Sequence, residues 1–400
     1  MIRAACTIVS FNYLAFARTL CASFLQFHSD CTFYVLLVDH LPAGYDVSSE
    51  KFELVLVENL GIQNFESVAF KFGILELNTN VKPTFLKFLL SRGIDQLIYF
   101  DPDILIYSAV EPIYEALNKS AIVLTPHCLS PNEGAPYSEV LLLIDGVFNL
   151  GFIAVSKTEE TERFLQWWEV RCLTLGYTER CSGLFVDQKW INLVPCYFDS
   201  ALVFKHQGCN VAYWNLHERT LKRVQNSWLI NEATPLIFFH FSGISVDGGS
   251  GISKHTNQFD LISRPDLAAL FEDYRGRVAG NQITNIDQHR YAFGYFSNGE
   301  LVNKLQRAAF AANLDKFHST NPFDVSSPFY RWAQRRHLQS GEDTVGKYGR
   351  NTYDKSDGRI RLVNGMMRLL LRLLGPDRYT ILMKYLEYAS LLRNQKDIFM

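Results

Sequence analysis

The chain has 400 residues, 48% of them hydrophobic and 14% aromatic, which is enough apolar material to bury at least one large core and excludes a disordered chain. The formal net charge of −2 conceals an asymmetry, because residues 331–400 carry 14 Lys and Arg against 7 Asp and Glu, so a basic tail follows an acidic body. No apolar run reaches the ~18 residues of a membrane span.

Met1-Ile2-Arg3 leads directly into Ala4-Ala5-Cys6-Thr7-Ile8-Val9, too short for the apolar region of a signal peptide and patterned as a first buried strand. The eight cysteines (Cys6, Cys21, Cys31, Cys128, Cys172, Cys181, Cys196, Cys209) form no CxxC pair and no zinc spacing, and they read as reduced thiols of a cytosolic protein.

In chain order the pattern predicts a strand over 4–10, a helix over 13–27, strands at Phe33–Val38 and Glu53–Val57, and helices over 65–76 and 83–91. This alternation predicts an α/β sheet with parallel strands. A strand at Gln96–Phe100 ends at Asp101, where open α/β sheets bind ligands beyond the carboxyl ends of their strands. A helix over 111–118 and strands at Ala121–Leu124 and Gly151–Val155 come next. The following helix opens with the capping box Ser156-Lys157-Thr158-Glu159 and carries Trp167 and Trp168 as core or interface aromatics.

Short β-like segments at Ala201–Phe204, Val211–Trp214 and Leu236–Phe241 precede a glycine-rich stretch, Gly243 to Gly251, expected to be a mobile loop. From about 265 the chain turns helical, 318–358 is rich in Ser, Asn, Asp, Gly and Pro, and a basic helix follows.

The chemistry concentrates at Asp101-Pro102-Asp103. Pro102 fixes its own φ and biases Asp101 towards an extended geometry, so two carboxylates leave a strand end at defined positions. Hard cations such as Mg²⁺ or Mn²⁺ prefer carboxylate oxygens together with substrate phosphate oxygens. A solvated acidic turn is the plain alternative. A phosphatase of the haloacid dehalogenase type, with Asp101 as nucleophile, is another, although its pattern wants Thr or Val two residues after the second Asp, where this chain has Leu105.

Three later segments sharpen the reading: Phe148-Asn149-Leu150-Gly151-Phe152, Asp187-Gln188-Lys189-Trp190-Ile191-Asn192 and His240-Phe241-Ser242-Gly243. With them the chain resembles the GT-A glycosyltransferases, in particular glycosyltransferase family 8 and related bacterial surface-polysaccharide enzymes, over about residues 1–260. The resemblance implies a Rossmann-like nucleotide-sugar-binding GT-A domain over 1–260 and a mainly helical region over 261–400 that shapes the acceptor site, oligomerises or contacts membrane. It implies Asp101, Asp103 and His240 as ligands of Mn²⁺ or Mg²⁺, and Asn149, Gly151 and Asp187 beside the donor sugar. Gln188 would lie on the reacting face, where a retaining front-face mechanism needs no strong nucleophile. Thr7, Asn12, Tyr13, Lys82, Pro102, Gly243 and Lys254 would bind the nucleotide.

The implied reaction moves a sugar from a nucleotide diphosphate sugar, a UDP-sugar, to a glycan or lipid-linked glycan in surface polysaccharide or glycoconjugate synthesis, in the cytoplasm or at the inner face of the membrane. The chain departs from the family's usual His-x-x-Gly-x-x-Lys-Pro-Trp ending, since Lys254 follows a longer glycine loop without Pro-Trp. A non-catalytic sugar-binding protein of the same fold is a further alternative.

Other features keep two readings. His240 alone reads as a core histidine at the end of an apolar strand, and Asp187-Gln188 as the polar start of a helix. Tyr213, Trp214 and His217 suit either an acceptor site or core packing. Arg361, Arg368 and Arg372 fall on one side of a helix from Ile360 to Leu374, so 359–374 suits an anionic membrane surface, or packing on Tyr379–Leu392 in a bundle or homo-oligomer. The basic residues interleave with Leu and Met without a nucleic-acid motif, and nucleic acid is not an expected partner.

Overall fold

The structure, a computed structural model, describes residues 1–135, 137–245, 248–283, 289–339 and 358–396. Two compact units emerge: one from Met1–Ile62 and Ile74–Ala292, the other from Gln63–Gly73 and the chain from Phe293 onward. The expected division after residue 260 does not coincide with this boundary, because a helix at Ala268–Gly280 packs on the helix Leu14–Leu25 within the first unit.

The first unit is an α/β structure, as expected. Its strands are β1 (Arg3–Val9), β2 (Thr32–Leu37), β3 (Glu53–Leu56), β4 (Gln96–Phe100), β5 (Ile104–Ile106), β6 (Ile122–Pro126), β7 (Phe148–Ser156), β8 (Ala201–Val203), β9 (Leu221–Val224), β10 (Ser227–Ile230), β11 (Thr234–Pro235) and β12 (Phe238–His240). The main sheet runs β3-β2-β1-β4-β7-β6-β8. Its first four strands are parallel in the Rossmann-like order, and β7 enters antiparallel between β4 and β6. β1 and β4 are apolar over nearly their whole length because both sheet faces are covered.

Phe100, the last residue of β4, is fully buried and packs edge-on to Phe238 with ring centroids 5.3 Å apart. Removing a side chain of that class from water contributes about 1.5–3 kcal/mol. The same contact ties the main sheet to a two-stranded antiparallel sheet, β5 with β12, whose register sets His240 opposite Ile104. The acidic motif is therefore the short link between β4 of one sheet and β5 of the other.

Several expectations change. The helix expected over 65–76 is two helices, Phe65–Lys71 and Ile74–Asn80, interrupted where Phe72 is extended and buried. Ser156 ends β7 and bonds the Ser120 carbonyl, so the next helix, Glu159–Leu175, is capped by Thr158, whose hydroxyl accepts from the Thr161 N–H at 3.1 Å. The strand expected at Val211–Trp214 reduces to one bridge between Val211 and Phe239, followed by a single tight turn at Tyr213–Asn215. β5, the β9–β11 sheet and a helix at Tyr137–Asp145 lie outside the expected elements. Of the Gly243–Gly251 stretch, 246–247 lie outside the described residues, as do 340–357 of the polar segment 318–358.

The second unit is mainly helical, as expected. Its core is aromatic: Phe70 meets Phe310, Phe323 and Phe329 at centroid distances of 4.9, 4.9 and 5.2 Å. Arg307 is buried beside them and donates to the carbonyls of Ala69, Phe70, Phe72 and Phe293. The basic helix and its expected neighbour are two helices within Gly358–Ser390, separated at Gly375 (φ 72°) ahead of Pro376, and none of their described residues is buried. Among the described residues no helix is long and apolar enough to cross a membrane.

Candidate metal centre

Asp101 extends β4 by one step: its N–H donates to the Gly151 carbonyl at 2.7 Å, so β7 runs alongside the motif. Past the turn, the Phe241 N–H donates to the Asp103 carbonyl at 2.9 Å, which brings the end of β12 against the second aspartate. The outcome is a cluster drawn from two sheets. Asp101, Asp103 and His240 each offer a ligand atom, and these atoms all lie within 4.8 Å of one another. His240 Nε2 is 3.0 Å from Asp103 Oδ1 and 4.0 Å from Asp101 Oδ2. Two carboxylates and an imidazole suit a divalent cation.

Burial lowers the pKa of His240, but the adjacent Asp103 and Asp101 carboxylates outweigh it and hold the imidazole above its ordinary value. Burial likewise opposes ionisation of Asp103, and His240 outweighs it, keeping that carboxyl below the usual carboxylate range. Each partner stabilises the charged form of the other.

Other expected residues gather around the cluster. The Asn149 Oδ1 lies 3.2 Å from His240 Nδ1, and Gly151 is where the chain passes the ring: a Cβ built there would sit 2.3 Å from His240 Cε1. Gly243 has φ 71°, and a Cβ there would meet His255 at 2.5 Å. Asp187 follows Val186, a β-branched residue at φ 41°, an uncommon conformation that marks local strain. Gln188 accepts from the Leu150 N–H at 3.1 Å and donates to the Asp145 carbonyl at 3.0 Å, so its amide spans the start of β7 and the end of the preceding helix.

Two residues expected at the nucleotide lie beneath the surface instead. Lys82 is 1% exposed: its ammonium is 2.7 Å from Asp187 Oδ2, 2.7 Å from the Leu150 carbonyl and 3.9 Å from Asp101 Oδ1, with the Tyr99 ring 4.2 Å away. It joins the acidic motif to Asp187 from below. Thr7 is wholly buried because both faces of the sheet are covered at β1, and its hydroxyl has no hydrogen-bond partner. Asn12 accepts from Ser10 at 2.6 Å, while Tyr13 stays 44% exposed and stacks on Phe16 at 5.0 Å. Lys254 is exposed, its N–H bonded to the Gly243 carbonyl. Trp214 stands edge-on to His240 at 5.2 Å, Tyr213 packs on Trp214 at 4.9 Å, and His217 lies 3.2 Å from the Ser130 carbonyl.

Sequence reading passes over three contributors. Tyr99 donates to Asp101 Oδ1 at 2.6 Å. His127, just beyond the carboxyl end of β6, packs edge-on to Trp214, and burial pushes its pKa down to about 4. The strand-end rule that selects Asp101 would also select it. Asn210, with φ 53°, reaches Thr125, Asn149 and His240, and nothing in its neighbourhood of sequence marks it.

No family model matches the chain. It is similar to the uncharacterized protein YfnF of Bacillus subtilis strain 168, 25% identical over 304 residues that cover 75% of this chain and 97% of YfnF. It is also similar to the uncharacterized protein YfnD of the same strain, 29% identical over 171 residues, 42% of this chain and 53% of YfnD. Among solved structures it is similar to the galactosyltransferase LgtC in complex with donor and acceptor sugar analogues, at TM-score 0.40 and 13% identity over 70% of this chain and 98% of LgtC. The glycosyltransferase GlyE of Streptococcus pneumoniae TIGR4 is similar at TM-score 0.42 and 16% identity, over 70% of this chain and 63% of GlyE. A mouse xyloside xylosyltransferase is similar at TM-score 0.34 and 13% identity, over 53% of this chain and 88% of that structure.

Proposed function

We propose that the protein is a metal-dependent glycosyltransferase that moves a sugar from a UDP-sugar to a glycan or lipid-linked glycan. The observation that carries this reading is the convergence of Asp101, Asp103 and His240 at the carboxyl end of β4. A hydrolase using Asp101 as nucleophile gives no use for an imidazole set against Asp103. Mn²⁺ or Mg²⁺ held by the three residues would neutralise charge building on the leaving diphosphate.

The chain's own groups take the remaining roles. Tyr13, exposed and stacked on Phe16, offers a ring for the base, with Asn12 beside it. Lys254 and the Gly243 backbone face the phosphates, and Lys82 acts from below by holding Asp101 and Asp187 together. Asp187 binds a donor-sugar hydroxyl, Gln188 lies towards the reacting face, and Tyr213, Trp214 and His217 contribute to the acceptor side. Transfer proceeds with retention. Calorimetry with UDP, with and without Mn²⁺, tests the reading: metal-dependent UDP binding in the wild type and its loss in Asp103→Ala are expected, and metal-independent binding or none defeats it.

A basic, apolar surface supports action at the inner face of a membrane. Leu362, Leu369 and Leu373 are 67%, 56% and 72% exposed on the helix that carries Arg361, Arg368 and Arg372. Flotation with anionic vesicles is the expected result. Binding to no vesicle, together with self-association on sizing, would give this face to a second copy of the chain.

A further inference from the structure

We propose that Asn149 and Asn210 are positioning residues which fix His240 with its proton on Nδ1, so that Nε2 presents its lone pair to the cation. The inference rests on reading Asp101, Asp103 and His240 as cation ligands and deepens it by naming what sets the imidazole.

The argument starts from a group whose role is beyond choice. The Gly151 N–H is a backbone donor, and it points at the Asn149 side chain at 3.1 Å, so the atom there is the carbonyl oxygen Oδ1. That oxygen lies 3.2 Å from His240 Nδ1. A second amide oxygen, Oδ1 of Asn210, lies 3.3 Å from the same nitrogen. Asn210 is oriented through the Asn149 oxygen, because its Nδ2 donates to Asn149 Oδ1 at 3.1 Å, and it also reaches the Thr125 hydroxyl at 2.9 Å. His240 Nδ1 therefore faces two acceptors and no donor, and it satisfies them only as Nδ1–H.

With the Nδ1 proton held in this way, Nε2 is the nitrogen left for the cation; without the cation it faces the Asp103 carboxylate at 3.0 Å and carries the second proton, which the cation displaces. Metal-ligating histidines usually have the other ring nitrogen bonded in this manner, which fixes the tautomer and the ring orientation. Here a pair of side-chain amides takes that position.

The placement depends on backbone features set by separate elements. Asn210 adopts φ 53°, a left-handed conformation in which Asn is enriched, immediately before the single bridge from Val211 to Phe239 that brings it beside β12. Thr125 sits at an irregularity in the pairing of β6 with β7, where a bulge re-aims a side chain. Trp214 stands with its ring at 90° to that of His240, and the missing Cβ of Gly151 leaves the space that the imidazole fills.

His127 makes a clean test available. Its Nε2 is 3.4 Å from Asn149 Nδ2, an amide donor, so in the wild type its proton sits on Nδ1, and once an acceptor replaces that amide nitrogen the proton can move to Nε2. Asn149→Asp thus keeps the oxygen that faces His240 and puts its second oxygen where a reprotonated His127 donates. Asn149→Leu removes the acceptor at similar size. Asn210→Gly removes the second acceptor while tolerating the left-handed backbone.

Two measurements are made on the whole chain. Nitrogen NMR of ¹⁵N-histidine-labelled protein in excess Mg²⁺ at mildly alkaline pH, where the cation takes the place of the Nε2 proton that otherwise faces Asp103, reports the tautomer, with the His240 signal assigned by its absence in His240→Gln. Calorimetry reports Mn²⁺ affinity, and circular dichroism confirms that each variant is folded. The wild type should show Nδ1–H at His240. Asn149→Leu and Asn210→Gly should show the Nε2–H form and weaken Mn²⁺ binding by roughly 10- to 100-fold, and Asn149→Asp should retain both the tautomer and the affinity.

A wild type carrying Nε2–H overturns the proposal. So does an equal loss of affinity in Asn149→Leu and Asn149→Asp, which would mean packing alone is at work. A wild type with Nδ1–H that takes up no Mn²⁺ overturns the cation reading beneath the proposal and leaves the tautomer assignment standing.

Discussion

At the carboxyl end of β4, Lys82, Asp187, Asn149, Asn210 and His240 are each less than a tenth exposed, and each is polar. In the second unit Phe70, Phe310 and Phe329 reach the same depth, and Arg307 brings a charge that four backbone carbonyls absorb. The aromatic cluster gains from taking apolar area out of water and from edge-on ring contacts. The polar cluster pays desolvation for every member and recovers it only while each partner is in place. The difference teaches where tolerance lies: a ring exchanged in the second unit leaves a space, whereas a partner removed at the site leaves a stranded charge or amide.

The strongest way to break this contrast is to remove one partner of the Lys82–Asp187 pair. Lys82→Met leaves Asp187 buried without its cation and should cost about 3–5 kcal/mol in chemical denaturation. The double variant Lys82→Met/Asp187→Leu should recover most of that loss, and a double variant as unstable as the sum of its parts would show that the pair is not coupled. Phe329→Ala should cost about 3 kcal/mol by opening a cavity and should leave Mn²⁺ affinity at the wild-type value. A fall in Mn²⁺ affinity in that variant would mean the two regions are energetically one.

A smaller effect sharpens the comparison through pH. The folded pKa of His240 is raised, so the stability it contributes is fully present below its unfolded value of 6.5 and is lost as pH rises through the folded value. Asp103 is lowered, so its contribution is present above 3.8 and is lost as pH falls through the folded value. The metal-free ion pair therefore stabilises most between those limits. Melting temperatures of the metal-free wild type and His240→Gln should converge as pH rises from about 6 to about 9. Mn²⁺ affinity should move the opposite way, strengthening as Nε2 loses its proton. The aromatic cluster predicts no such crossing, so Phe329→Ala should shift the melt equally across that range.

The strand at Gln96–Phe100 and the acid pair after it are legible because one short apolar run and one turn decide them locally. His240 at the end of its apolar run reads alone as a core histidine; the resemblance carried by the later segments marks it as a ligand, and the structure brings it to the acid pair. Asn210 is not, because its role comes from contacts 61 residues away at Asn149 and 85 away at Thr125, through a bridge of one residue pair. Lys82 reads as a nucleotide contact just ahead of a helix. Only the tertiary pairing with Asp187 reveals why it is buried. The three-residue β5 falls below the length at which alternation is recognisable, yet it carries the pairing that delivers His240.

β7 is paired with β4 over Phe152–Ser156 and with β6 over Ile153–Val155, and ahead of that anchored part Asn149 and Gly151 turn to the same face while Leu150 turns away. The paired residues from Phe152 onward cannot rotate, so deleting a single residue between Asn149 and Phe152 would exchange the two faces of everything before the deletion and turn the amide away from the histidine. Individual side chains along β7 are open to replacement, but the count of residues between Phe148 and Phe152 is not. The length of this strand works as a gauge, and relatives that keep the site should vary in the lettering of this segment and never in its number of residues.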